Sequence, residues 1–138
     1  MEIIPARDVV QILRDEGITN RFWINQEQED TTYPAITVRR YGGSANPRWA
    51  RDQILLQIRS KGDTFGAEQA ETDLYKIRDV LLGVSTIDFS PNYEYVRFLI
   101  VSDVQYVGTD DDNKPIFTLN MEATVDWKVP VGNRLPIN

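Results

Sequence analysis

Asp52-Gln53-Ile54-Leu55-Leu56-Gln57-Ile58-Arg59, then Ser60-Lys61-Gly62-Asp63 and an amphipathic run to Leu82, is the stretch whose reading decides the fold. Its first part alternates. Ile54, Leu56 and Ile58 point one way and Gln53, Gln57 and Arg59 the other, with Leu55 the one exception. Period-two alternation of this kind marks a half-buried strand. The second part changes period: Ala67, Ala70, Leu74, Ile77 and Leu81 fall three or four residues apart and share one face of a helix. A strand with one apolar face, a short turn and a helix with one apolar stripe bury both faces when the helix lies back across the sheet.

Upstream, Ile36 and Val38 alternate with Thr37 and Arg39 in a second strand that Tyr33-Pro34 opens. Between it and the 52–59 strand lies Tyr41-Gly42-Gly43-Ser44-Ala45-Asn46-Pro47-Arg48-Trp49. This segment reads as a loop made mobile by adjacent glycines, with Trp49 as an apolar anchor at its exit. Further back, residues 21–25 read as a strand carrying Phe22, Trp23 and Ile24, and residues 26–32 as an acidic loop. The first helix starts at Pro5, whose missing N–H costs nothing in a first turn. Ala6, Val9, Val10 and Leu13 form its stripe. Gly17 stands where it stops, and Ile18 can close back on Leu13.

Downstream, Gly83 caps the second helix, and residues 84–89 form a short strand ended by Ser90-Pro91-Asn92. A long hairpin follows. Val96, Phe98, Ile100, Val104 and Tyr106 share one face of its first arm, interrupted by Ser102. Phe117, Leu119, Met121, Ala123, Val125 and Trp127 share one face of the second, the cleanest alternation in the chain. Residues 129–138, with Pro130, Gly132 and Pro136, read as an extended tail. The expected fold is therefore α+β: a mixed, mostly antiparallel sheet with two helices packed on one face and a long C-terminal β-hairpin, in a single domain spanning 1–138. The hairpin is too long for its cover. Arms of about 14 residues reach about 45 Å, whereas a helix of about 18 residues reaches only about 27 Å. Either the first helix or a neighbouring subunit covers the remainder. The second choice makes Val125, Trp127 and Tyr106 subunit-interface residues.

The 138 residues suffice to bury about 68% of the unfolded surface. The longest strongly apolar run, residues 98–101, falls far short of the ~20 residues that span a bilayer, so no membrane association is expected. The N-terminus lacks the pattern of a signal peptide and there is no cysteine, from which an intracellular setting is expected. Without His or Cys, neither Ser-His-Asp nor Cys-His catalysis can be built, and the commonest transition-metal ligands are missing. A net charge of −6 weighs against a grip on phosphates.

The remaining candidates are weak. Asp110-Asp111-Asp112-Asn113 hints at calcium, but an EF-hand loop begun at Asp110 would need Gly and Glu where Pro115 and Met121 stand. Glu122 and Asp126 lie on one side of one strand but about 13 Å apart, beyond the about 5–9.5 Å of glycosidase carboxylate pairs. Gly42-Gly43 matches no phosphate-binding loop. Arg39, Arg40, Arg48 and Arg51, interleaved with Tyr41 and Trp49, could hold a phosphate backbone. In an acidic chain, however, Arg, Tyr and Trp together fit a protein–protein contact better. No enzyme activity, metal or cofactor is expected.

Tyr41-Gly42-Gly43, the Gln- and Arg-bearing strand 52–59, Ala67 and Ala70, and Leu81-Leu82-Gly83, in this order of elements, resemble the tail-terminator family of long-tailed phages. That family is also described as minor capsid or tail-completion proteins. The likeness covers most of residues 5–127. It leaves the acidic loop 26–32 and the tail 129–138 unmatched. It implies a structural virion protein assembled in the host cytoplasm, forming a homo-hexameric ring. Such a ring caps the tail tube, ends tube polymerisation and meets a head-completion protein, while DNA passes through its lumen without specific binding. On this reading Tyr41, Gly42, Gly43, Arg48 and Trp49 form the tail-tube contact. The alternatives are another neck ring, such as a head-completion or adaptor protein, and then a small carboxylate-dependent hydrolase or a ligand-sensing domain.

Overall fold

The computed structural model describes residues 4–26 and 34–136. Pro5–Asp15 form α1, Arg21–Ile24 β1, Ala35–Ala45 β2, Arg51–Lys61 β3, Ala67–Leu82 α2, Ile87–Ser90 β4, Tyr93–Thr109 β5 and Pro115–Trp127 β6. The strands form one six-stranded sheet in the order β1-β2-β3-β6-β5-β4. Only β1 and β2 run parallel; every other neighbouring pair is antiparallel. The fold is α+β, as expected.

The core follows from the two periodicities. Ile54, Leu56 and Ile58 of β3 meet Ala70, Leu74, Ile77 and Leu81 of α2, while Ala6, Val9, Val10 and Leu13 of α1 close the same cluster. Ala67, at the start of α2, stays exposed. Leu55 lies on the opposite face of the sheet, level with Glu122. The end of α1 is the one expected. Gly17 adopts φ +88°, its amide donates to Arg14 O, and the Ile18 amide donates to Leu13 O at 3.0 Å. These are the two bonds of a Schellman cap. Gly83 ends α2 with φ −79°, so no left-handed residue is needed there.

Four readings are corrected. The Gly-Gly segment is not a loop. β2 continues through Ala45, with an irregularity at Tyr41, and Gly42 and Gly43 pair with Leu55 and Ile54. Gly43 sits at φ +146°, and a Cβ there would lie 2.2 Å from Gln53 O, which no side chain can occupy. Gly43→Ala is therefore expected to cost about 1–3 kcal/mol through backbone strain, measured as a lowered urea midpoint; an unchanged midpoint would contradict this packing.

In β5 the alternation is shifted by an irregularity between Tyr95 and Arg97. Tyr95, not Val96, points inward opposite Val125, while Phe98, Ile100 and Tyr106 keep the core-facing side opposite Ala123, Met121 and Phe117. The segment after β6 is tied back instead of trailing away. It turns at Gly132, with φ +59°, and Ala50 N donates to Leu135 O at 2.7 Å while Leu135 N donates to Arg48 O at 2.9 Å. Residues 27–33 of the acidic loop and its exit, and 137–138, lie outside the described residues.

Finally, Val125 is fully buried and Trp127 nearly so. β6 is the central strand, flanked by β3 and β5 and covered by α2 on one face, so these two side chains are core of their own chain. Of the three expected interface residues, Tyr106 alone is exposed.

Candidate functional site

Three regions hold the polar and exposed apolar groups that sequence reasoning singled out. The first is the corner between β2 and β3. Asn46 Oδ1 accepts from the amides of Arg48 and Trp49, both at 2.9 Å, which folds the turn on itself. The Arg48 guanidinium stacks on the Trp49 ring at 5.2 Å. Behind them, Asp52 accepts from Trp127 Nε1 at 3.0 Å and from Arg134 at 2.7 Å, fastening the segment after β6 to β3. Arg48 and Trp49 thus stand exposed on a preformed corner, and Tyr41 is exposed on the strand leading to it. The structure brings Arg48 and Trp49 together. It holds Gly42 and Gly43 apart from them, inside the β2–β3 ladder.

The basic group is partly spent. Arg51 makes a two-pronged bond to buried Asp126, at 2.6 and 2.8 Å, and that bond raises the arginine's pKa above its ordinary value. Arg39 donates to Gln57 at 3.0 Å. Together with Asn25, Gln26, Thr37 and Arg59, these two side chains line a shallow polar recess of about 300 Å³.

The second region is the hairpin tip. Asp110 Oδ1 accepts the amides of Asp112 and Lys114, both at 2.9 Å, and its other oxygen pairs with Lys61. The lysine bond, helped by the two amides, pulls this carboxyl down to about 2. Asp110 is thus the cap of its own turn. Among the described residues no group of three or more His, Cys, Asp or Glu is placed to hold a metal ion, and no helix is long and apolar enough to cross a membrane.

The third region is the pair of open sheet edges. β1 covers β2 only over residues 35–38, and β4, with the Thr86 amide bound to Val96 O, covers β5 only as far as residue 96. Beyond these, no further strand covers either edge among the described residues. Gly42 O accepts from Arg40 Nε at 3.3 Å, and the Val104 amide donates to the Asp103 carboxylate at 2.7 Å. The β5 side is apolar. Leu99, Ile100, Val101, Tyr106 and Val107 are exposed by 38% to 57% of their surface. α2 reaches this stretch through Arg78, which pairs with Asp103 at 3.2 Å. Because β6 beside it is buried along its length, the exposure belongs to the edge strand and not to one end of the hairpin.

A fourth cluster, buried, was invisible in the sequence. Asp8, with no exposure, accepts from Tyr93 OH at 2.9 Å and Tyr95 OH at 2.8 Å. Phe89, Phe98 and Trp127 pack around the two tyrosine rings. Its position between α1 and β5 makes it a clamp within the core.

No protein-family model and no curated protein matches the chain. Its fold does have a counterpart. The chain is similar to one in a solved structure described as the virion of a native gene transfer agent particle, with a TM-score of 0.62. The match covers 85% of this chain and 90% of the other at 15% identity. At that identity the shared property is the fold.

Proposed function

We propose that this chain is a structural virion protein that forms a ring, caps the tail tube, ends its polymerisation and joins the tail to the head. The observation that carries the proposal is the whole-chain likeness of fold to a chain of the gene transfer agent virion. It agrees with the residues that resemble tail terminators. The ring is a homo-hexamer. Its other partners are the tail tube protein and a head-completion protein, and DNA passes through the lumen without being held, in keeping with a charge of −6 per copy. The protein resides in the virion and assembles in the host cytoplasm. A second neck position, such as an adaptor ring, fits the same observation, because the matched particle is named as a whole.

In this reading the tail-tube contact is the corner carrying Arg48 and Trp49. Trp and Arg are the side chains most often found at binding hot spots, and a corner already held by Asn46 and Leu135 loses little freedom on docking. Replacing Arg48 and Trp49 together with Ala is expected to leave the circular dichroism spectrum unchanged and to give over-long tails in electron micrographs. Tails of normal length would remove the corner from the contact. If tube length is normal and heads fail to join instead, the adaptor position is the right one.

A further inference from the structure

We propose that the seam between copies in this ring is a strand-to-strand junction, in which the open edge of β5 in one copy pairs with the open edge of β2 in the next. The proposal rests on the ring reading and adds the two surfaces that close it. The sheet itself supplies the alignment. Following the ladder from strand to strand, Arg40 is level with Leu56, Met121 and Ile100. Gly42 is level with Leu55, Glu122 and Leu99; Gly43 with Ile54, Ala123 and Phe98; Ser44 with Gln53, Thr124 and Arg97. β1 masks β2 below this window and β4 masks β5 above it, so the two uncovered stretches coincide in height. β5 runs opposite to β2. A rotation about an axis along the strands therefore brings them together antiparallel, the pairing this sheet uses for every other long strand.

The side chains fit that register. Residues 97–100 pair with β6 without interruption, so their outer edge is regular backbone. No like charges face each other: Arg97 comes opposite Ser44, and Arg40 opposite Ile100, while Arg39 comes level with Ser102, next to Asp103. On the face away from the helices, Leu99 comes opposite Gly42, in a row whose other members are Leu55 and Glu122. A side chain at Gly42 would touch only Leu55, at 3.7 Å. The bare glycine is thus a notch. Through it, exposed Leu99 of one copy reaches half-buried Leu55 of the next. A second copy accounts for both the exposed leucine and the missing side chain, and it covers two edges that would otherwise invite uncontrolled pairing.

The chain has no cysteine, so introduced ones report cleanly. Arg40→Cys and Ile100→Cys share a row and a face, and opposed antiparallel residues lie within disulfide reach. Mixed under mild oxidation, alone and with tail tubes, the two single variants are expected to give covalent dimers. The yield should exceed by about tenfold or more that of Ile100→Cys mixed with Glu71→Cys on the exposed face of α2, because neighbours held in register meet at a raised effective concentration. Leu99→Lys should keep the circular dichroism spectrum and lose the ring in light scattering. If Ile100→Cys alone cross-links as well as the mixture, β5 pairs with itself and the proposal is overturned. Ring formation by the wild type without cross-linking above the control overturns the seam and leaves the ring. Failure of the wild type to assemble at all, with or without tubes, removes the ring reading itself and the seam with it.

Discussion

Val125→Asp is expected to unfold the chain, not merely to prevent its assembly. Val125 has no exposed surface and lies opposite Asp52 on one side and Tyr95 on the other, in the middle of the sheet and beneath the aromatic cluster. A carboxylate there would lose its hydration beside a second carboxylate, Asp52, to which the Arg134 guanidinium is already committed at 2.7 Å, a cost of several kcal/mol. Domains of this size are stable by only about 5–15 kcal/mol in total. Loss of the far-UV circular dichroism signal at 25 °C, or a urea midpoint moved close to zero, is the expected result. The milder Val125→Ala should remain folded and lose about 2–3 kcal/mol through two missing methyl groups and the cavity they leave. A folded Val125→Asp monomer with an unchanged spectrum would mean that this face is open and the subunit interface lies there after all.

The second large effect belongs to Asp8. Asp8→Ala removes the acceptor shared by Tyr93 and Tyr95 and leaves two buried hydroxyls without it. Each unpaired hydroxyl costs about 1–3 kcal/mol, so a loss of about 2–6 kcal/mol is expected. The same substitution made in a Tyr93→Phe, Tyr95→Phe background should cost much less, because no donor is then orphaned. Equal costs in the two backgrounds would show that Asp8 acts by some route other than the tyrosines.

The clamp also sets the response to alkali. Burial first, and then the bond to Asp8, push Tyr93 up to about 12 and Tyr95 further in the same direction. Above the ordinary tyrosine value of about 10 the unfolded chain gives up these protons while the folded chain keeps them. Their contribution is therefore fully present below about pH 10. It is lost as the pH rises through the folded-state value of about 12 for Tyr93. Unfolding midpoints measured across that interval should fall in the wild type and fall less when both tyrosines are phenylalanine.

How much of this was legible in advance depends on the range of the physics involved. The constraint on Gly43 comes from the carbonyl of Gln53, ten positions on, and nothing within the Tyr41–Trp49 segment reveals that a partner strand lies so close. Two adjacent glycines are equally consistent with a loop and with a strand whose neighbour leaves no room for side chains. Likewise, the corner residues Arg48 and Trp49 stand out by type, but what holds them is Leu135 and Arg134, from the far end of the chain. Tyr106 and Val125 share one sequence pattern. One is open and the other enclosed because Tyr106 stands on β5 where no further strand covers it, whereas Val125 lies on β6, which has a strand on either side and is buried along its length.

The strand over 52–59, the helix over 67–82, the cap at Gly17 and the alternating second arm of the hairpin were all determined by the sequence itself, because each rests on periods of two or 3.6 residues and on bonds between near neighbours. Those periods also dictated that one face of the sheet would be apolar. Only the tertiary structure decided that β2 runs on past Gly43, that the alternation of β5 shifts after Tyr95, that Asp8 is enclosed between two tyrosines, and that two edges stay open at the same height. These are properties of pairing between segments far apart in the chain, and hydrophobic period records which side of a segment is buried, not which neighbour buries it or how far along.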